Sequence, residues 1–300
     1  MDNYVLIGAA GYIAPRHMEA IKVNGGNLVG AYDPFDSVGI IDRYFPEASF
    51  FTEFERFDRY VDLQIRNGIS IDYVVVCSPN YLHDSHIRFG LRIGADVICE
   101  KPLVLTEKNL QGLIELEGSS RGKVFNILQL RLHDSAIELR KRIKQNRDEF
   151  INVDFTYITS RGRWYLHSWK GDIDKSGGIA TNIGIHFFDM LIWIFGDVKE
   201  NVVKSHNNTS ARGVLNFENA SVNWFLSIDS QDLPLAAREQ NMTTFRSMKF
   251  GEDSFEFSSG FTDLHVKSYQ KIINGEGFRL TDSGAAIAVA EEIRNFIISK

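Results

Sequence analysis

Short apolar runs alternate with longer amphipathic segments along the first part of the chain. The apolar runs at positions 4–7, 71–77 and 96–99 are rich in β-branched residues, which predicts buried strands. Positions 53–67 repeat their apolar residues at helical spacing. Strands and helices that alternate through right-handed crossovers build a doubly wound parallel sheet. We therefore predict an α/β domain over residues 1–124.

The pattern changes after the first domain. Residues 152–158 alternate apolar and polar side chains, and residues 220–227 and 243–250 also have the pattern of antiparallel strands. Residues 285–298 form a strongly amphipathic helical pattern. We predict a second, α+β domain over residues 125–300 with an open, mostly antiparallel sheet. An open sheet face favours packing between copies, so a homo-oligomer, either a dimer or a tetramer, is expected.

Composition excludes some classes of partner. The chain has 300 residues and a net charge of −6, from 33 basic and 39 acidic side chains. Nucleic acid and anionic membranes are therefore not expected as partners, and an anionic ligand needs a local cluster of cations. Cys77 and Cys99 end predicted strands, which is typical of core thiols in a reducing cytosol. No targeting segment precedes the first strand, and the apolar residues 183–195 are too few to span a bilayer, so a cytoplasmic location is expected.

A glycine turn joins the first predicted strand to the first predicted helix. Gly8 can make the tight turn, and Gly11 is small enough for a pyrophosphate to approach the backbone. The helix N-terminus that follows offers unpaired N–H groups to an anion. Ala10 occupies a position that is usually glycine, and a simple tight turn would explain this segment about as well.

The second predicted strand favours the dinucleotide interpretation. It ends at Asp33, 22 residues after Gly11 (33 − 11). This is close to the spacing of roughly 20 residues at which a carboxylate meets the adenosine ribose hydroxyls. Such a carboxylate would repel a 2′-phosphate, so NAD is favoured over NADP. The alternative is a surface aspartate that caps the next helix.

Two polar segments follow predicted strands at their carboxyl ends, where open α/β sheets bind ligands. Lys101 lies in the second segment and is the predicted centre of the chemistry, although an exposed turn lysine is the common alternative. The bond between Lys101 and the following proline could be cis. The residues concerned are Ser78, Pro79, Asn80 and His83 in the first segment, and Glu100, Lys101 and Pro102 in the second.

Residues 160–170 concentrate positive charge and aromatic rings in an otherwise acidic chain. They include three fixed cations, three large aromatic side chains and no acidic side chain. Guanidinium groups suit carboxylate or phosphate oxygens, and flat rings suit a sugar or a base. A solvated loop with a few core aromatics is the alternative, and the overall charge disfavours nucleic acid. The candidate ligand contacts are Arg161, Trp164, Tyr165 and Lys170.

A very apolar helical pattern carries three polar residues. Asn182, His186 and Asp189 recur at intervals of four and three residues, so they are predicted to share one helix face. Polar side chains on a buried face need partners. A core histidine with satisfied hydrogen bonds is the plain alternative, but the glycines at 177 and 178 would let a ligand approach the backbone.

Taken together, these motifs resemble the Gfo/Idh/MocA family of NAD(P)-dependent sugar and polyol oxidoreductases over essentially the whole chain. The resemblance implies a Rossmann domain that binds NAD and a second domain that binds substrate. Residues 160–170 and 178–189 look most similar to bacterial dehydrogenases that oxidise C3 of UDP-N-acetyl-D-glucosaminuronic acid for lipopolysaccharide O-antigen sugars. The implied cofactor contacts are Gly8, Gly11, Tyr12, Ile13, Asp33, Ser78, Pro79, Asn80, His83, Glu100, Lys101 and Gln129. The implied substrate contacts are Lys101, Arg161, Trp164, Tyr165, Lys170, Asn182 and His186.

The resemblance also places the catalytic groups. The family lysine falls on Lys101 and the family histidine on His186, and either could be the base. The family often has an aspartate four residues before that histidine, whereas this chain has Asn182, which can orient the ring but adds no charge. No metal is expected.

The partners implied by the resemblance are a UDP-sugar substrate and, because some relatives retain NADH and reoxidise it with a 2-keto acid, 2-oxoglutarate as hydride acceptor. One alternative is a dehydrogenase of the same family that acts on another sugar nucleotide, a free sugar or inositol. Another is a non-catalytic NAD-binding sensor, which the presence of both Lys101 and His186 disfavours.

Overall fold

The computed structural model of the chain describes residues 1–145, 149–250, 253–255 and 263–296. The chain divides into two compact units. The first comprises residues 1–104, 108–129 and 262–283, and the second comprises residues 105–107, 130–261 and 284–300. A segment from near the end of the sequence therefore belongs to the first unit.

Strands and helices alternate through the first unit, whereas strands form long runs in the second. Within the described residues the strands are β1 Asn3–Ile7, β2 Asn27–Tyr32, β3 Ser49–Phe51, β4 Tyr73–Val76, β5 Asp96–Cys99, β6 Val124–Asn126, β7 Ile151–Thr159, β8 Glu200–His206, β9 Ser210–Asn216, β10 Ala220–Ser227, β11 Thr244–Phe250 and β12 Asp253–Phe255. The α-helices are α1 Ala14–Val23, α2 Ile40–Tyr44, α3 Phe54–Arg66, α4 His83–Arg92, α5 Glu107–Ser119, α6 Asp134–Gln145, α7 Trp164–His167, α8 Ile173–Ser176, α9 Ile185–Phe195, α10 Leu235–Glu239, α11 Leu264–Ile273 and α12 Gly284–Asn295.

The sheet of the first unit is parallel throughout and has the order β3-β2-β1-β4-β5-β6. Its central strands are buried on both faces, as shown by Val5 and Leu6 on β1 and by Val75 and Val76 on β4. This burial explains their continuous apolar runs. The strand order reverses between β1 and β4, which creates a crevice at the carboxyl edge. The predicted doubly wound parallel sheet is confirmed.

Two helices from distant parts of the chain pack together in the first unit. α1 follows the glycine turn and carries Pro15 in its first turn, where the missing N–H has no helical partner to lose. Its buried residues include His17 and Met18. α11 buries His265 and Tyr269 on one face, and Asn24 at the end of α1 donates to the carbonyl of Val266 at 3.4 Å. The contact between α1 and α11 therefore places segments from opposite ends of the chain together.

The sheet of the second unit has the order β12-β11-β7-β10-β9-β8. β7 and β10 pair in parallel, and every other neighbouring pair is antiparallel. Val222, Trp224 and Leu226 on β10 are buried, whereas the intervening Asn223 is exposed, as the alternating pattern predicts. The predicted open and mostly antiparallel sheet is confirmed. The predicted helix at 285–298 corresponds to α12, and the part of that prediction after residue 296 lies outside the described residues.

One helical stretch among the described residues, Ile173–Phe195, is long and apolar enough by length and composition to cross a membrane. It has 23 residues and joins α8, a π-helical turn at Ala180–Gly184 and α9. Because 67% of its most apolar window is buried inside the protein, its apolar side chains are used for packing. This is the behaviour of a core helix.

Candidate active site

The glycine turn after β1 is held against the end of β4. Gly8 has a φ of +95°, and a Cβ there would lie 2.5 Å from the carbonyl carbon of Cys77. Both the backbone conformation and the space therefore require glycine. The N–H of Gly11 donates to the carbonyl of Gly8 at 3.1 Å, which closes the turn just before α1 begins. The bare backbone at the helix N-terminus suits the close approach of an anion.

Asp33 lies at the carboxyl end of β2, beside this turn. One carboxylate oxygen accepts from the N–H of Ala10 and the other from the N–H of Phe35, each at 2.9 Å. The side chain is largely buried, with 6% of the residue exposed. Asp33 is therefore not a surface residue, and it fixes the glycine turn against the end of the adjacent strand.

His83 ties together the segments that follow β4 and β5. Its Nε2 lies 2.7 Å from the carbonyl of Ser78, and its Nδ1 lies 2.7 Å from the carbonyl of Pro102. Burial lowers the pKa of His83, although both carbonyl contacts favour the charged ring. Because each ring nitrogen contacts one carbonyl oxygen, the ring holds the two segments at a fixed spacing. The hydroxyl of Ser78 in turn contacts Nδ1 of His86 at 2.8 Å.

The Glu100–Lys101 pair lies at the end of β5. The Glu100 carboxylate is buried, and it contacts Nε2 of His17 at 3.0 Å and Nε2 of His265 at 2.9 Å. Its second oxygen accepts from the N–H of Lys101 at 3.1 Å. Lys101 itself is half-buried, and its peptide bond to Pro102 is cis. The alternative of a fully exposed turn lysine does not hold.

Two further predicted cofactor residues have notable surroundings. Tyr12 on the glycine turn is 93% exposed, so its ring has little contact with the protein. Gln129 follows β6, and its Oε1 is buried without a hydrogen-bond partner among the described residues. An orphaned acceptor is expensive in a folded protein unless a ligand or water meets it. The glycine cradle and this oxygen both fit a dinucleotide at the sheet edge.

The cationic loop, residues 160–170, lies in the second unit. Lys170 Nζ lies 5.3 Å from the ring centre of Trp164 and 4.9 Å from that of Trp169, which are cation–π contacts. Burial lowers the pKa of Lys170, and the charge of Arg161 lowers it further. Arg161 is exposed, and Trp164 is 56% exposed. The loop therefore combines the guanidinium of Arg161 and the ammonium of Lys170 with an accessible ring, as an anionic, ring-containing ligand requires.

Asn182 and His186 are separated by a change of helix type. Asn182 lies in the π-helical turn, and His186 lies in the first turn of α9. The Asn182 amide donates to the hydroxyl of Tyr165, and burial raises the pKa of that phenol, so it remains protonated. The structure thus joins one predicted substrate residue of the loop to one of the helix. π-helical turns are frequent at functional sites.

Asp189 has a partner that the helical spacing does not indicate. Arg131 donates to its two oxygens at 3.0 and 2.7 Å, and both side chains are buried. This bidentate pair fixes α9 to the segment that precedes α6. Asp189 therefore supports the helix that carries His186.

Some residues beside the predicted site are not among the predicted ones. His17 and His265 contact Glu100, Tyr269 contacts His17, and Arg131 holds Asp189. The sequence offers one weak signal, since residues 265 and 269 are four apart and share a helix face. Nothing in the local pattern connects them with Glu100.

Comparison with protein families gives matches over most of the chain. The model of the GFO_IDH_MocA oxidoreductase family, NAD-binding Rossmann fold, matches residues 3–127. The model of its C-terminal alpha/beta domain matches residues 149–227.

Individual relatives are similar to different extents. The chain is 46% identical to the WlbA (WbpB) dehydrogenase from Thermus thermophilus, over 100% of this chain and 97% of that one. The TM-score is 0.96 for its complex with NAD and alpha-ketoglutarate and 0.95 for its complex with NAD and UDP-GlcNAcA. The chain is 29% identical to inositol 2-dehydrogenase from Rhizobium meliloti, over 65% of this chain and 55% of that protein. It is 27% identical to the putative oxidoreductase YteT of Bacillus subtilis, over 62% of this chain and 42% of that protein. The chain thus spans about half the length of these two curated relatives.

Proposed function

Because the chain belongs to the Gfo/Idh/MocA oxidoreductase family, we propose that it is an NAD-dependent dehydrogenase of a sugar nucleotide. Its substrate is UDP-N-acetyl-D-glucosaminuronic acid, and the product is the 3-keto sugar nucleotide. The observation that carries this proposal is similarity along the full chain to a dehydrogenase whose structure holds both NAD and UDP-GlcNAcA.

NAD is supported by the geometry of the first unit. Gly8 gives the pyrophosphate a bare backbone, and Asp33 offers a buried carboxylate at the end of β2 for the ribose hydroxyls. Gln129 contributes an acceptor that has no protein partner among the described residues. The remaining predicted contacts, on Ser78, Pro79, Asn80, His83 and Lys101, belong to the same carboxyl edge.

Lys101 and His186 supply the proton and charge chemistry of the proposed reaction. When bound, NAD accepts the hydride from C3. His186 takes the proton of the C3 hydroxyl, because an imidazole titrates near neutral pH. Lys101 stabilises the negative charge that develops on the oxygen. The backbone N–H of Lys101 donates to the ionised Glu100 carboxylate at 3.1 Å, which holds the residue that carries the proposed ammonium.

The second unit supplies the proposed substrate contacts. Arg161 and Lys170 bind the carboxylate or the pyrophosphate, and Trp164 and Tyr165 line the sugar. Asn182 is oriented by the Tyr165 hydroxyl and binds the substrate without adding charge. Asn182 stands where the family often has an aspartate, and a neutral residue at this position can still hold the sugar.

We also propose a cellular setting for the enzyme. The enzyme acts in the synthesis of O-antigen sugars, is a homotetramer, and lies in the cytoplasm, where the buried free thiols Cys77 and Cys99 stay reduced. It retains NADH, and 2-oxoglutarate reoxidises it. The complex of the Thermus relative with NAD and alpha-ketoglutarate supports this last step.

The test is product analysis from purified enzyme, NAD and the UDP-sugar acid, with and without 2-oxoglutarate. We expect a product that lacks two hydrogen atoms, located at C3, and turnover beyond one equivalent only with the keto acid. UDP-N-acetylglucosamine, which lacks the carboxylate, is the matched control and should react poorly. Equal oxidation of both compounds would contradict the assigned role of the cationic loop.

The second candidate is oxidation of a nucleotide-free polyol or sugar. The similarity to inositol 2-dehydrogenase favours it. The same assay with myo-inositol and free hexoses distinguishes the two, because a higher kcat/KM for one of them would replace the UDP-sugar as substrate. A non-catalytic sensor would bind NAD and oxidise none of these compounds.

A further inference from the structure

Glu100 directly precedes Lys101, and its carboxylate is enclosed by donors from α1, from α11 and from the backbone. We call His17, Glu100, His265 and Tyr269 the Glu100 bracket. Between 0% and 6% of each of these residues is exposed. The contacts are His17 and His265 on one carboxylate oxygen and the N–H of Lys101 on the other. The bracket therefore reaches Lys101 through its backbone.

The hydrogen bonds of the bracket have one consistent direction. Burial raises the pKa of Glu100, but the hydrogen bonds from His17 and His265 outweigh burial and hold the pKa well below its usual range. The carboxylate is therefore ionised and only accepts hydrogen bonds. His17 must then donate from Nε2. Burial lowers the pKa of His17, so the ring is neutral and its Nδ1 is an acceptor. Tyr269, whose pKa burial raises well above its ordinary value, donates to that Nδ1 at 2.8 Å.

A buried carboxylate is costly unless donors surround it. Three donors surround Glu100: the two imidazole N–H groups and the N–H of Lys101. Each of these three hydrogen bonds restricts the position of its donor relative to the carboxylate, and one of the donors is the backbone of Lys101. Movement of that backbone would leave a buried charge short of one donor, which is unfavourable. The arrangement therefore resists displacement of Lys101.

We propose that the Glu100 bracket positions Lys101 for hydride transfer, with Glu100, His17, His265 and Tyr269 acting as positioning residues. This inference rests on the proposed function for its kinetic consequence but not for its structural one. Glu100 acts through Lys101, because protein donors contact both of its carboxylate oxygens. His265 and Tyr269 lie near the end of the sequence, so the segment 262–283 completes the catalytic edge of the first unit.

Three of these side chains could instead bind a metal ion, and the experiment must distinguish that metal site from the hydrogen-bonded bracket. The ligand atoms of His17, Glu100 and His265 lie within 4.8 Å of one another, as a metal site would require. A metal needs the Nε2 lone pair of both rings. In the bracket both Nε2 atoms carry a proton instead. Bracket and metal site are therefore mutually exclusive.

The experiment uses the full-length enzyme and three comparisons. Glu100→Gln keeps the shape but removes the charge and presents an N–H to one of its former donors. His265→Leu removes a donor, and His265→Gln restores an N–H. Tyr269→Phe removes the bond to His17, and Tyr4→Phe is its matched control, because the Tyr4 ring stacks on that of Tyr269 at 6.2 Å and its buried hydroxyl has no partner among the described residues.

We expect Glu100→Gln and His265→Leu to lower kcat about 100-fold, as a misplacement of about 1 Å does, with little change in the Kd of NAD. His265→Gln should recover most of the loss. Tyr269→Phe should cost about fivefold in kcat, as loss of one hydrogen bond does, whereas Tyr4→Phe should keep wild-type kcat. Equal losses in the two phenylalanine variants, or equal kcat in His265→Leu and His265→Gln, would overturn the proposal.

Two readouts do not depend on the substrate. In a crystal structure of Glu100→Gln with NAD, the Cα of Lys101 should move by more than about 0.5 Å, the tolerance of a productive site. A smaller shift would overturn the bracket even if the UDP-sugar is not the substrate. If Lys101 is displaced in Glu100→Gln but the wild-type enzyme does not oxidise the UDP-sugar, only the proposed function is overturned. Metal analysis of the purified enzyme should find no stoichiometric ion. One zinc ion per chain, removed by chelator, would replace the bracket by a metal site.

Discussion

The carboxyl edge of the first sheet and the cationic loop of residues 160–170 prepare for charged ligands in opposite ways. At the sheet edge the charge is negative, buried and fully hydrogen-bonded, and Glu100 has donors on both oxygens. In the loop the charge is positive and more accessible, and Lys170 rests on aromatic rings. A buried, saturated group holds geometry, whereas an accessible cation can exchange water for ligand oxygens. The sheet edge thus holds its negative charge in a fixed geometry, whereas the loop presents positive charge that a ligand can reach.

The largest expected effect comes from removing the lysine at the sheet edge. Lys101→Ala should lower kcat about a thousandfold, because charge on the developing oxygen is no longer stabilised. The Kd of NAD should change less than threefold, a split that steady-state kinetics and cofactor titration measure together. Lys108→Ala, at an exposed position on α5, is the control and should match wild type. A wild-type kcat in Lys101→Ala would remove this residue from the chemistry.

A pair of variants tests whether the stability that a charged pair contributes depends on its burial or on the unit in which it lies. Asp189→Asn breaks the buried bidentate pair with Arg131 in the second unit and should lower the free energy of unfolding by about 3 kcal/mol. Asp62→Asn breaks the exposed pair with Arg66 in the first unit and should cost less than about 0.5 kcal/mol. Urea unfolding of both variants gives the comparison. Similar losses would show that burial is not the deciding factor.

Arg161 tests the loop side of the comparison. Arg161→Gln should raise the KM of the UDP-sugar about tenfold with kcat nearly unchanged, because a charge-assisted contact to the substrate is lost. The difference from wild type should shrink as salt is added, since an exposed cation is screened. Arg163→Gln, in the same loop and equally charged, is the matched control and should keep the wild-type KM. A fall in kcat with constant KM would assign Arg161 to the chemistry instead.

Local patterns account for the fold and for much of the candidate site. The alternation at residues 220–227 predicts β10 with its observed ends, and the apolar run at 96–99 predicts β5, because a strand's burial pattern is written in adjacent residues. The glycine turn and Asp33 are recognisable for the same reason, since their separation along the chain reflects one strand–helix–strand unit.

Contacts between distant segments could not be read in this way. His265 lies 165 residues from Glu100, and no local periodicity pairs them. The π-helical turn could not be predicted either. Its one extra residue per turn changes the apolar pattern too little to be distinguished from an ordinary α-helix. Gly184 is its faint signal: a Cβ there would lie 2.5 Å from Cδ1 of Leu226 on β10, so a larger residue would require that side chain to move.

The last expected effect is a pH dependence that separates a buried histidine from an exposed one. Burial lowers the pKa of His86 to about 4, whereas the unfolded chain titrates near 6.5. Between these values the unfolded state binds more protons, so the stability contributed by neutral His86 is complete above pH 6.5 and is lost as the pH falls toward 4. The loss is at most about 1.4 kcal/mol per pH unit. Urea midpoints from pH 7 to 4.5 should therefore fall less steeply in His86→Gln than in wild type. His167→Gln, which changes an exposed histidine of the cationic loop, should keep the wild-type slope, and a flattened slope there would show that the buried edge does not set the acid response.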